Sequence, residues 1–208
     1  MTYLEFREPL LQFQVFSIRD IEKYFPGFDS RRLVEWQHKG YIRKLVNKWY
    51  LFSECVIDDR LLFRISNCIY RPSYISLESA LAHYHLIPEA VYTQKAITTR
   101  KTISYITPVG TFDYHSIKPG LFFGYAISHK DGLPVMMAEM EKALLDYLYL
   151  NASLKSVKDI EQLRFNYIEL HNNLNWEKLG KYQLVFESKT LDKRVKDLKT
   201  LFEHADTV

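Results

Sequence analysis

Residues 16–52 read FSIRDIEKYFPGFDSRRLVEWQHKGYIRKLVNKWYLF. Ser17 is suited to cap a helix running to about Tyr24: its oxygen can accept from an unpaired N–H of the first turn, and Asp20 and Glu22 suit the positive end of the helix dipole. Ile18, Ile21 and Phe25 fall at i, i+3 and i+7, a one-sided apolar stripe. Pro26-Gly27 breaks this helix. Asp29 or Ser30 caps a second helix over 31–39, which Leu33 and Trp36 can anchor to the first. Gly40 is a natural left-handed stop. Residues 41–45 and 48–52 read as two strands around a turn at Val46-Asn47.

Helix, turn, helix and ribbon is the layout of a winged helix-turn-helix, and the charges suggest its use. Residues 27–50 hold six basic side chains against Asp29 and Glu35. Residues 1–50 carry the whole net charge of +3, since the rest of the chain has as many acids as bases. Arg31 and Arg32 open the second helix, the end that enters the major groove in helix-turn-helix proteins, and His38 and Lys39 close it. Arg43, Lys44 and Lys48 lie on the ribbon, where a wing can reach phosphates. These seven residues are the expected contacts to double-stranded DNA. The plainer reading is an interaction domain with a basic surface.

The chain has 208 residues, 47% hydrophobic and 25% charged, room for a small domain and a larger one. No apolar run approaches the roughly 20 residues that span a membrane, and the opening MTYLEFREPL has no apolar signal core, so a cytoplasmic location without membrane contact is expected. Cys55 and Cys68 lack metal spacing and read as two reduced thiols on one helix. The seven histidines form no H-E-x-x-H, His83 and His85 diverge, and no Walker loop, G-x-G-x-x-G or G-x-S-x-G occurs. The expectation is therefore a non-enzymatic protein with no metal and no cofactor.

Leu4, Leu10, Leu11 and Phe13 suggest a helix under the wing domain, with Pro9 an obstacle. Beyond the ribbon, Ser53 can cap a helix over 54–69, ended by Arg71-Pro72. Residues 72–76 are extended, and Ser76 caps a helix over 77–85. Strands follow over 96–99, 102–107, 111–117 and 121–127, as an antiparallel sheet with turns at Gly110 and Pro119-Gly120. Gly132-Leu133-Pro134 leads through Val135 to helices over 138–150, 157–172, 176–186 and 191–205. The expected class is α+β: a winged helix-turn-helix domain with its linking helix over 1–66, then an α+β domain over 67–208 with an antiparallel sheet and a helical C-terminal third.

Two blocks of the second domain are distinctive, Pro72-Ser73-Tyr74-Ile75-Ser76-Leu77-Glu78-Ser79-Ala80-Leu81 and Glu141-Lys142-Ala143-Leu144-Leu145-Asp146. With Leu86-Ile87-Pro88-Glu89, Thr98-Thr99-Arg100-Lys101, Gly110-Thr111-Phe112-Asp113-Tyr114 and Phe123-Gly124-Tyr125, they make residues 10–150 resemble the AbiEi family. That family comprises the antitoxins and transcriptional regulators of AbiE-type (type IV) toxin–antitoxin systems, associated with phage defence. The resemblance implies an autorepressor that binds inverted repeats in its own promoter, as a monomer or weak dimer. It also implies a C-terminal domain that counters a neighbouring nucleotidyltransferase-like toxin without a stable complex.

The antitoxin or partner surface is expected at Ser73, Tyr74, Ser76, Ser79, Arg100, Lys101, Lys142 and Asp146. The plainer readings are hydroxyls bonded to backbone around Pro72, a polar hairpin tip at 98–102, and an i, i+4 ion pair between Lys142 and Asp146 on a solvated helix face. Three rival functions remain open: a protein-interaction module that captures a toxin or other partner directly, a nucleic-acid enzyme using Glu141 and Asp146, and a ligand-sensing repressor with a pocket in its second domain.

Overall fold

In the computed structural model, which describes residues 1–129 and 134–205, Thr2 opens the first helix, α1 (Tyr3–Leu10), in a reciprocal capping box with Glu5. Pro9 is accommodated near its end. A short 3-10 turn, Leu11–Phe13, leads into strand β1 (Val15–Ser17), which the sequence reading did not anticipate. Ser17 caps α2 (Ile18–Tyr24) and exchanges hydrogen bonds with Asp20. Gly27, at φ 74°, turns the chain toward α3 (Arg31–His38). Asp29 satisfies the N–H of Arg31 at 3.0 Å, while Ser30 makes no side-chain cap. Gly40, at φ 72°, ends the helix and releases the chain into β2 (Ile42–Lys44) and β3 (Trp49–Phe52). The three strands form an antiparallel sheet in the order β1-β3-β2. Phe6, Phe16, Ile21, Leu33, Trp36 and Phe52 pack beneath it. The Phe6 and Trp36 rings lie 4.5 Å apart, and Phe16 and Phe52 4.6 Å.

Helix α4 (Asp59–Ile69) starts later than the expected 54, because Asp58 rather than Ser53 caps it, accepting from the N–H of Leu61 at 2.7 Å. Cys55 therefore lies in the preceding loop and only Cys68 on the helix. Strand β4 (Ser73–Ile75) and α5 (Leu77–His83) follow. Strands β5 (Thr93–Thr98), β6 (Ile103–Thr107), β7 (Gly110–Ser116), β8 (Tyr125–Ser128) and β9 (Val135–Ala138) join β4 in one sheet, ordered β6-β7-β5-β4-β9-β8. This sheet is mixed and not antiparallel: β5 runs parallel to β7, and β4 parallel to β9. Residues 119–121 form a 3-10 turn, so the strand expected from 121 begins at Tyr125. Gly132 and Leu133 of the expected Gly132-Leu133-Pro134 connection lie outside the described residues.

The remaining described elements are α6 (Met140–Leu150), α7 (Val157–Glu161), α8 (Tyr167–Asn173), α9 (Trp176–Phe186) and α10 (Lys189–Ala205). The single helix expected over 157–172 is broken at Arg164, whose φ is 48°, and Asn166 recaps the chain through the N–H of Glu169. Successive residues of a strand point to opposite faces. On β4 this sends Tyr74 to α6, while Ser73 lies over Asn67 and Cys68 of α4. Val15 and Leu51 of the first sheet, with Leu45 in the ribbon turn, join the same apolar core as Leu61 of α4 and the large sheet. Among the described residues, no helix is long and apolar enough to cross a membrane.

Candidate nucleic-acid interface

The buried side of α3 is fixed by Leu33 and Trp36, 1% and 3% exposed. At 3.6 residues per turn the opposite side must hold positions 31, 34, 35 and 38. Arg31, Val34, Glu35 and His38 are indeed the exposed residues there, with Lys39 at the end. Val34 is 54% exposed although apolar. The sequence reading did not single it out, yet the spacing from Arg31 would have found it.

Arg31 stands free of the body except for Asp29, which its Nε reaches at 3.0 Å and its Nη2 at 3.0 Å. This pairing holds the Asp29 carboxyl below its ordinary range. Lys39 pairs with Glu35 at 2.6 Å, the favourable i, i+4 order on a helix. Both pairs sit in water, where such contacts are worth little and are readily exchanged for another partner.

The other expected contacts divide into two kinds. Lys44 and Lys48 are exposed on either side of the ribbon turn. The turn is held by the N–H of Leu45 on the carbonyl of Trp49 and by Lys48 at φ 68°, whose carbonyl accepts from the N–H of Ile18. Arg32 and Arg43 are instead tied to the body. Arg32 Nη1 donates to the carbonyl of Met1 at 2.6 Å, and Arg43 Nη2 to that of Ser53 at 3.2 Å.

The expected partner surface in the second domain is mostly an interior. Ser73, Tyr74, Ser76, Ser79, Lys142 and Asp146 are all buried, so as an exposed surface that expectation is corrected. Lys142 Nζ pairs with Asp146 Oδ1 and donates to the Tyr74 hydroxyl at 2.9 Å. Tyr74 in turn donates to Asp146 Oδ2 at 3.0 Å, and Ser76 to the same oxygen at 2.9 Å. Ser76 thus spends its hydroxyl on Asp146 and makes no helix cap. Burial raises the Asp146 carboxyl and lowers the Lys142 amine, and each partner opposes the shift of the other. The Lys142 ammonium also lies 5.0–5.4 Å from the ring centres of Tyr74, Phe123 and Phe186. Ser79 works on backbone, accepting from the N–H of Lys95 at 2.7 Å.

Arg100 and Lys101 are exposed, as a surface requires. The Arg100 guanidinium lies 4.1 Å from the centre of the Tyr70 ring. Glu141, considered for catalysis, and its neighbour Glu139 tie the start of α6 to α9. Glu139 accepts from the Tyr182 hydroxyl at 2.5 Å, and Glu141 from the N–H of Asn175 at 3.0 Å. Among the described residues, no three His, Cys, Asp or Glu side chains are grouped so that they could hold a metal ion.

Compared with protein-family models and with curated proteins, the chain matches none.

Proposed function

We propose that residues 1–52 form a winged helix-turn-helix that binds double-stranded DNA, and that the protein represses transcription by occupying its own promoter. One observation carries this reading: the outward face of α3 presents Arg31, Val34 and His38 in a row, beside a ribbon whose turn is flanked by Lys44 and Lys48. In a major groove the guanidinium of Arg31 can take the two acceptors of a guanine edge, and Val34 can meet a thymine methyl. Lys44 and Lys48 can neutralise phosphates, which positions the helix without reading sequence. Asp29 occupies the Arg31 fork until a base or phosphate replaces it.

The antitoxin half of the proposal rests on the resemblance of the two blocks to the AbiEi family. Its contact candidates are Arg100 and Lys101. Rescue of growth when the chain is co-expressed with a neighbouring nucleotidyltransferase-like product tests that half.

The DNA half is tested by fluorescence anisotropy on a duplex from upstream of the gene. Replacing Arg31 and His38 by alanine should weaken binding about ten- to a hundredfold, because one good base contact supplies about 1–3 kcal/mol. Arg32→Ala should change affinity far less, since Arg32 holds Met1. Unchanged affinity in the double variant would show that α3 is not the reading helix.

A further inference from the structure

We propose that a cavity between the C-terminal end of α4 and strand β4 binds a small organic anion, an inference that stands whether or not the N-terminal unit binds DNA. The cavity measures about 250 Å³. Arg64, Arg71 and Ser73 line it, and among the described residues no carboxylate does. Among the described residues, the two guanidiniums have backbone oxygens and a sulfur as hydrogen-bond partners. Arg64 Nη1 donates to the carbonyl of Pro134 at 3.1 Å, Arg71 Nε to that of Asn67 at 3.1 Å, and Arg71 Nη2 to Cys68 Sγ at 3.4 Å.

Two donors on the residues that line this cavity are left over. Ser73 is 1% exposed and its hydroxyl has no partner. Arg64 Nε is buried and also has none. Buried polar groups are nearly always paired, so two orphans in one cavity need a reason. Asn67 does not serve them: its Nδ2 donates to the carbonyl of Ser73 at 3.3 Å and its Oδ1 accepts from the N–H of Met136 at 2.7 Å. Two positive side chains, a free hydroxyl and a free guanidinium N–H are the complement of an oxyanion, which would gain charge-assisted hydrogen bonds.

The remaining walls, Pro72, Pro134 and Met136, are apolar. A water occupies about 30 Å³ of liquid, so the space exceeds what one anionic head fills. The matching ligand has an oxyanion head on a short apolar body, such as a branched short-chain carboxylate. Its arrival would also be felt outside the cavity. The Arg71 guanidinium lies 5.6 Å from the ring centre of Trp49, on strand β3 of the basic ribbon.

Isothermal titration calorimetry of the full chain with 3-methylbutanoate, with inorganic phosphate, and with chloride at matched ionic strength tests the proposal. One equivalent of 3-methylbutanoate should bind saturably, phosphate more weakly and chloride not at all. Arg64→Gln should weaken binding at least about tenfold. Ser73→Ala should weaken it too, without lowering the melting temperature of the ligand-free protein, because the hydroxyl has no partner to lose. If Arg64→Gln does not fold, Ser73→Ala decides. No saturable binding, binding of phosphate alone, equal affinity in the variants, or a Ser73→Ala protein that melts earlier without ligand would each overturn the proposal.

Discussion

Gly124 has φ 68°, and a Cβ there would stand 3.0 Å from Lys142 Cγ and 3.0 Å from Tyr182 Cε2. Gly124→Ala therefore meets both a strained backbone and an occupied space, and should cost about 1–3 kcal/mol in chemical denaturation. His115 on β7 makes a different prediction. Its Nε2 is buried without a partner, and burial, then the nearby Lys95, pushes its pKa down against Glu78 and Asp113. A histidine whose folded pKa is depressed is favoured neutral by the fold. Its stability contribution is intact above the unfolded value of about 6.5 and is lost as pH falls through the folded value. Melting temperature should hold near neutrality and decline as the solution is acidified, with a shallower decline in His115→Asn. His83, also lowered by burial, contributes in the same direction, so the variant should flatten the slope without abolishing it. An identical slope in His115→Asn would show that this imidazole is not the titrating group. Neither role was legible in the sequence, because what Gly124 and His115 touch comes from elements distant along the chain.

Lys142 and Asp146 join α6 to β4 through Tyr74 and Ser76, and these four residues belong to the two most distinctive blocks of the sequence. Lys142→Met leaves a buried carboxylate without its countercharge and should destabilise by about 3–5 kcal/mol. Lys142→Met with Asp146→Leu should recover much of that loss, since hydrophobic replacement of a whole buried pair is often neutral. Urea denaturation of the two variants checks this, and equal losses in both would mean that the pair itself supplies the stability. The i, i+4 spacing was legible as a pair, but a surface pair has the same spacing, so its burial was not. Helices α2 and α3 and the ribbon were legible because Ser17, Gly27 and Gly40 are local punctuation whose chemistry acts within a few residues. The parallel pairing of β5 with β7 was not, because alternation within a strand says nothing of the direction of its neighbour. The start of α4 was expected after Ser53, but Asp58, nearer to the apolar run, caps it instead. The break before α8 is set by Asn166, whose side chain accepts from the N–H of Glu169 three residues on.

Taken whole, the molecule puts its excess positive charge in the first fifty residues, while Val15, Leu45 and Leu51 share one apolar core with α4 and the large sheet. Only residues 53–58 separate β3 from α4. The proposed DNA reader is thus packed directly on the domain that follows it, and the Arg71–Trp49 contact lies across the same junction. Electrostatic attraction to phosphates should give a salt dependence that base contacts alone would not, and Lys44→Ala should reduce the salt slope by about one. The decisive measurement is the anisotropy of a labelled duplex from upstream of the gene, titrated with the purified protein at two salt concentrations beside an unrelated duplex. Tighter binding to its own upstream DNA, weakening steeply as salt rises, is the predicted result. Equal affinity for both duplexes, or binding indifferent to salt, from a protein with an intact melting transition would contradict it.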